Sequence, residues 1–233
     1  MLNFINKISN ISSKIQPITS DLIFYLDSSV CGGCKDISGN SLHGVSNGVS
    51  YRNKLYNFNK VGSHLDIPLI NLTNNFSVEV YFLLDEKSNI DNKYHNIFTI
   101  KSDKNSNLSL RKTRSGLTNG LNIEYLSNGD RWVITTGGVI EFENFDHCFG
   151  PVYKNLNSWT HVVITMNGDI MHLYINGSYN TSLRIGNKWC VNDSLIIGDS
   201  IESMLGKVSV FRVYNKALSA SEIGLNYSSL ISN

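Results

Sequence analysis

Glu141, Glu143 and Asp146, in the segment EFENFDHCFG, are close enough in sequence to cooperate in acid–base chemistry. Retaining glycoside hydrolysis needs two carboxyl groups about 5 Å apart. Residues i and i+2 of a strand share a face, so Glu141 and Glu143 meet that need only on a regular strand. The surrounding Asn and Phe residues argue for irregular backbone, and the third acid is displaced. No nucleophile elbow, phosphate loop or His-Glu-x-x-His pattern occurs in the sequence. The chain is therefore expected not to be an enzyme, with a glycoside hydrolase as the least supported reading.

Cys31-Gly-Gly-Cys34 is a second reactive group. Zinc would need two more ligands. His147, Cys148 and Cys190 are the available donors, at spacings unlike a zinc module. A redox pair wants a helix N-terminus beside it, and the Asp36-Ile37-Ser38-Gly39-Asn40 that follows does not continue as a helix. Loop thiols or a local disulfide are expected, with metal binding and redox chemistry as the alternatives.

Sugar recognition asks for an aromatic face against the apolar side of a ring, with amides and carboxylates for the hydroxyls. Asp130, Arg131 and Trp132, after Asn128-Gly129, form one such cluster, and Lys188 with Trp189 forms another. Both also read as ordinary hairpin or core packing. His161 and His172 lie in alternating segments and read as packing or hydrogen-bonded residues. Trp159 reads as a core anchor.

Strands must position these residues. FSVEVYFLL (76–84) sets Phe76, Val78, Val80 and Phe82 on one face against Ser77, Glu79 and Tyr81 on the other. Residues 160–177 read as strand, turn, strand, turn. Residues 205–215 alternate Val208, Val210 and Arg212 against Ser209, Phe211 and Val213. Further strands are expected at 21–26, 54–59, 95–100, 121–126, 131–135 and 194–198. Five Asn-Gly pairs, at Asn47, Asn119, Asn128, Asn167 and Asn176, suit type I′ hairpin turns. Short strands without alternating helices indicate an antiparallel sandwich or barrel. Ser219 and Glu222 have capping-box spacing, and with Ile223, Tyr227 and Leu230 they predict a helix over about 219–230. Leu2, Ile5, Ile8, Ile11 and Ile15 make one helical stripe in an N-terminal arm, either frayed, docked on a partner subunit or, least supported with two Lys and no Trp, attached to a membrane.

Composition excludes several classes. Charged residues are 17% of the chain, below the usual quarter or so, and Asn and Ser, 30 of each, fill the gap. Asn favours turns over helix interiors. A net charge of +1 argues against nucleic acid as a partner. No run reaches the roughly 18 apolar residues of a membrane span, and the first twenty residues lack the apolar core of a secretion signal.

Three segments carry a resemblance: DLIFYLDSSVCGGCKDISGNSLHGV (21–45), NSWTHVVITMNGDIMHLYING (157–177) and LGKVSVFRVYNKALSASEI (205–223). Over about 21–229 the chain resembles a laminin-G-like (LamG) jelly roll of the concanavalin A-like lectin/glucanase superfamily, closest to the variant in phage and giant-virus particle proteins. The resemblance implies an all-β, two-sheet antiparallel jelly-roll sandwich at 21–233, with a short C-terminal helix and an arm at 1–20. It implies a non-catalytic surface-contact protein of the virion, structural, decorating or attaching, with protein partners in a particle or a homo-oligomer, a trimer by analogy with viral fibres. The alternative is a lectin-like carbohydrate-binding protein with glycans as partners. Many such modules hold Ca²⁺, which takes roughly six to eight oxygens. Relatives often carry an acidic pair where Ser209 and Val210 stand here. Asp27 and Asp36 remain as candidate donors, and no cofactor is expected beyond that calcium.

Overall fold

A computed structural model describes residues 15–85, 94–101, 107–112, 121–127, 130–135, 138–140, 158–185, 191–202 and 204–232. Two antiparallel sheets pack face to face. The first runs β14(Ser178–Arg184), β13(Ile170–Ile175), β12(Thr160–Asn167), β6(Asn75–Leu84), β16(Gly206–Tyr214), β4(Leu55–Phe58), β3(Ser50–Arg52), with β1(Leu22–Asp27) also paired to β16. The second runs β11(Gly138–Ile140), β10(Asp130–Thr135), β9(Leu121–Ser127), β8(Asn107–Lys112), β7(His95–Lys101), β15(Val191–Gly198), β5(His64–Leu72), β2(Val45–Asn47). One helix among the described residues, α1(Ala220–Ile231), follows the last strand.

The core lies between the sheets. Phe76, Val78, Val80 and Phe82 of β6 enter it as their alternation requires, meeting Phe98, Ile100 and Leu195 of the second sheet. Phe98 and Phe211 pack edge to face across the layers, with centroids 5.4 Å apart. Each such side chain contributes about 1.5–3 kcal/mol through burial.

The far face of the first sheet is covered as well. Val163, Tyr174 and Tyr214 pack there with Leu218 and Ile223, the latter on α1. Ser219 caps this helix: its hydroxyl accepts from the Glu222 amide, and its own amide donates to the Glu222 carboxylate at 2.8 Å. Of the stretch read as an arm, residues 15–20 carry no helix. The Ile18 amide donates to Asn226 Oδ1 on α1 at 2.7 Å, and the Ile18 carbonyl lies 3.2 Å from the Tyr214 hydroxyl oxygen. Residues 1–14 lie outside the described residues.

The simple alternation read for 205–215 does not hold. The β16/β6 register shifts between Val208 and Val210, leaving Ser209 as the extra residue of a bulge. Val208, Phe211 and Val213 face the core, whereas Val210, Arg212 and Tyr214 lie on the opposite side with their register partners Tyr81, Glu79 and Ser77. One inserted residue reverses every side chain beyond it. The bulge also marks a fork: β16 pairs with β4 up to Val208 and with β1 from Val210 onward.

The Asn-Gly turns divide. Asn176 and Gly177 connect β13 to β14 with φ of 49° and 77°, as a type I′ turn requires. Asn167 instead ends β12 opposite Ile170, and the turn is Gly168-Asp169. Asn47-Gly48 makes no hairpin: β2 pairs with β5 in one sheet and β3 with β4 in the other. Asn119 and Asn128 lie outside the described residues.

Candidate functional site

Glu79, at the centre of β6, organises the outer face. It is fully buried, so its carboxylate needs donors. Arg212 Nη1 donates at 2.9 Å, His161 Nε2 bonds at 3.0 Å, Asn226 Nδ2 donates at 2.8 Å and the Tyr214 hydroxyl at 3.2 Å. Burial by itself raises the Glu79 carboxyl, but the Arg212 guanidinium and the His161 and Tyr214 contacts reverse that and hold it at about 2. Burial opposes the charge on Arg212, and Glu79 overrides this, raising the guanidinium above its ordinary range. Arg212 Nη2 donates to the Tyr25 hydroxyl at 3.0 Å, and that hydroxyl donates to Asp27 Oδ2 at 2.8 Å. The guanidinium carbon also stands 4.6 Å from the Tyr25 ring centroid. Burial foremost pushes the Tyr25 phenol up to about 12.

This chain of contacts leads from the buried carboxylate to a cavity of about 540 Å³. Tyr25 and Arg212 form its polar wall, beside the partly exposed Asp27. Ser29 and Ser209 add hydroxyls at the sheet fork, where the Ser28 amide donates to the Ser209 carbonyl at 2.8 Å. Tyr81 lines another side, and Trp159 stacks on it with centroids 4.9 Å apart and rings inclined by 30°. Both are half-buried. The 15–19 segment and Leu230 of α1 complete the walls. The bulge creates this site by turning Val210 and Arg212 outward.

The candidates read from the sequence distribute differently. Asp36 is buried and its oxygens accept from the amides of Tyr25, Ser38 and Leu42 and from the Ser38 hydroxyl. Asp27 accepts from the Ser29 amide and hydroxyl and from Tyr25. Both carboxylates thus serve the protein's own turns, and no group of three potential metal ligands occurs among the described residues. Cys31 and Cys34 are free thiols, Cys31 partly exposed and Cys34 buried. Burial raises the Cys34 thiol above its usual value. Trp159 stands beside Tyr81 rather than in the core. His161 is buried and hydrogen-bonded, as read, and burial lowers the pKa of His172. Asp130, Arg131 and Trp132 lie on β10, which pairs with β9 and β11, but their side chains are outside the described residues. So are Lys188, Trp189, Glu141, Glu143, Asp146, His147, Cys148 and Cys190.

A family model described as the concanavalin A-like lectin/glucanases superfamily, laminin-G type, matches residues 59–224. The chain belongs to this laminin-G family. No curated protein matches the chain significantly. Among solved structures, this laminin-G chain is similar to the botulinum neurotoxin serotype D ligand-binding domain in complex with N-acetylneuraminic acid, at 20% identity and TM-score 0.70, covering 92% of this chain and 52% of that one. The binding domain of Paraclostridial Mosquitocidal Protein 1 matches at 21% identity and TM-score 0.67, covering 91% and 53%. Domain 4 of AbnA, an extracellular arabinanase from Geobacillus stearothermophilus, in complex with arabinotriose, matches at 18% and 0.65, covering 88% and 97%. The chain spans about half the length of the toxin domains it matches. These matches overturn the placement nearest phage and giant-virus particle proteins, and with it the virion location and the particle role: the matched structures are toxin binding domains and an arabinanase domain. Binding domains among the matches accord with a non-catalytic module.

Proposed function

We propose that this laminin-G chain is a non-catalytic carbohydrate-binding module of the receptor-recognition kind, and that the cavity beside Tyr25, Asp27 and Tyr81 receives a sugar. The observation that carries this reading is the convergence there of a partly exposed carboxylate, two serine hydroxyls and the Tyr81–Trp159 pair. A sugar ring presents C–H groups to aromatic faces, and its hydroxyls donate well to a carboxylate. A rigid sheet supplies the preorganisation that offsets the cost of ordering such a ligand. The sugar complexes of the serotype D toxin domain and of the arabinanase domain support the class of ligand.

Glycan-array screening followed by calorimetry tests the reading. Tyr81→Ala should weaken binding at least about tenfold, the loss of one good aromatic contact, without changing the melting temperature by more than a few degrees. Trp132→Ala serves as the contrast. Loss of binding on Trp132→Ala with Tyr81→Ala unaffected would move the site to β10. No glycan bound by the folded protein would refute the reading.

A further inference from the structure

We infer that the cavity selects uncharged sugars and discriminates against those bearing a carboxylate, such as sialic or uronic acids. This rests on the glycan-binding reading and adds its specificity. Among the described residues lining the cavity, two carry a formal charge near neutral pH, Asp27 and Arg212. Arg212 cannot act as a counter-ion for a ligand. It is 1% exposed, and its charge is already matched by Glu79 at 2.9 Å. Recognition of a carboxylate by Arg relies on two parallel N–H donors. Here Nη1 faces Glu79 and Nη2 faces Tyr25, and Nε is buried without a partner.

Asp27 is the opposite case. It is partly exposed, and no basic side chain is bonded to it among the described residues. Oδ1 accepts two hydrogen bonds and Oδ2 accepts one. A carboxylate offers about four acceptor positions, so Oδ2 retains capacity for one sugar hydroxyl. With Glu79 and Arg212 cancelling, the described lining presents a net negative charge to an incoming ligand. A second carboxylate beside Asp27 meets like-charge repulsion that low-dielectric walls strengthen. A neutral polyol meets an acceptor, the Ser29 and Ser209 hydroxyls and an aromatic wall.

The test is an array and calorimetric comparison of each neutral oligosaccharide with its carboxylated counterpart, for example lactose against sialyllactose. The native protein should bind the neutral member at least about tenfold more tightly. Asp27→Asn should narrow that gap by raising affinity for the carboxylated member. The gap in the native protein decides the matter even where the variant is unstable. Equal or tighter binding of the carboxylated member overturns the inference while leaving glycan binding intact. Binding of neither by the folded protein removes both.

Discussion

Replacing Glu79 by Gln tests whether the outer face is held by its buried charges. Four donors converge on this carboxylate from β16, β12 and α1. Gln keeps the volume and one acceptor oxygen, but leaves Arg212, 1% exposed, without a counter-charge. Removing one partner of a buried pair costs about 3–5 kcal/mol. Acid titration gives a second figure. A carboxyl moved from 4.5 to about 2 corresponds to roughly 3–4 kcal/mol at ~1.4 kcal/mol per unit. The sign follows from the depressed value. The contribution is complete above the unfolded-state value near 4.5, declines below it, and is gone once the pH has fallen through about 2. Urea unfolding at pH 7 should therefore show a lower midpoint for Glu79→Gln with an unchanged slope. The gap from the native protein should shrink as the pH falls from 4.5 towards 2. The double variant Glu79→Leu/Arg212→Met should lose less than the two single changes summed. A gap under about 1 kcal/mol at pH 7, or one insensitive to acid, would refute the reasoning.

Further outcomes follow from the same contacts. Ser219→Ala removes the acceptor of the α1 capping box and should cost about 1 kcal/mol in denaturant unfolding. Deleting Ser209 removes the extra residue and leaves Val208 and Val210 in plain alternation opposite Phe82 and Tyr81. Val210, Arg212 and Tyr214 should then keep the outer side and the protein its near-ultraviolet dichroism, whereas inserting a second residue there should reverse them and abolish that signal. Brief iodoacetamide treatment followed by peptide mapping should find Cys31 alkylated and Cys34 protected until the protein is unfolded, given their unequal exposure.

Much of the sandwich was legible in the chain because local patterning and tertiary burial agree in it. The β6 alternation placed four apolar residues on the core side, and the Ser219–Glu222 spacing set the helix start within a residue. Weaker patterns concealed other strands. β5 carries Pro68, which argues against a paired strand, and β8 is a short polar-rich run, NLSLRK. The site was less legible for a specific reason. Glu79 reads as the solvent side of a half-buried strand, and nothing in period-two alternation announces that α1 and residues 15–20 cover that side. Arg212 was assigned to the face of Val208 because a bulge leaves no mark in a run of alternating residues. Tyr25 and Asp27 meet Arg212 only through β1/β16 pairing, across nearly the whole chain. The aromatic residues singled out for sugar binding, Trp132 and Trp189, were chosen by neighbouring polar residues. Trp159, which reads as a core anchor, stacks on Tyr81 beside the cavity instead.

The most direct measurement is amide chemical-shift mapping with a glycan that the array selects. The largest shifts should fall on Tyr25, Asp27, Ser29, Tyr81 and Ser209–Arg212, around the sheet fork, and should disappear with Tyr81→Ala. Shifts confined to β10 and its neighbours in the second sheet, with the fork unchanged, would contradict a sugar site on the outer face of the first.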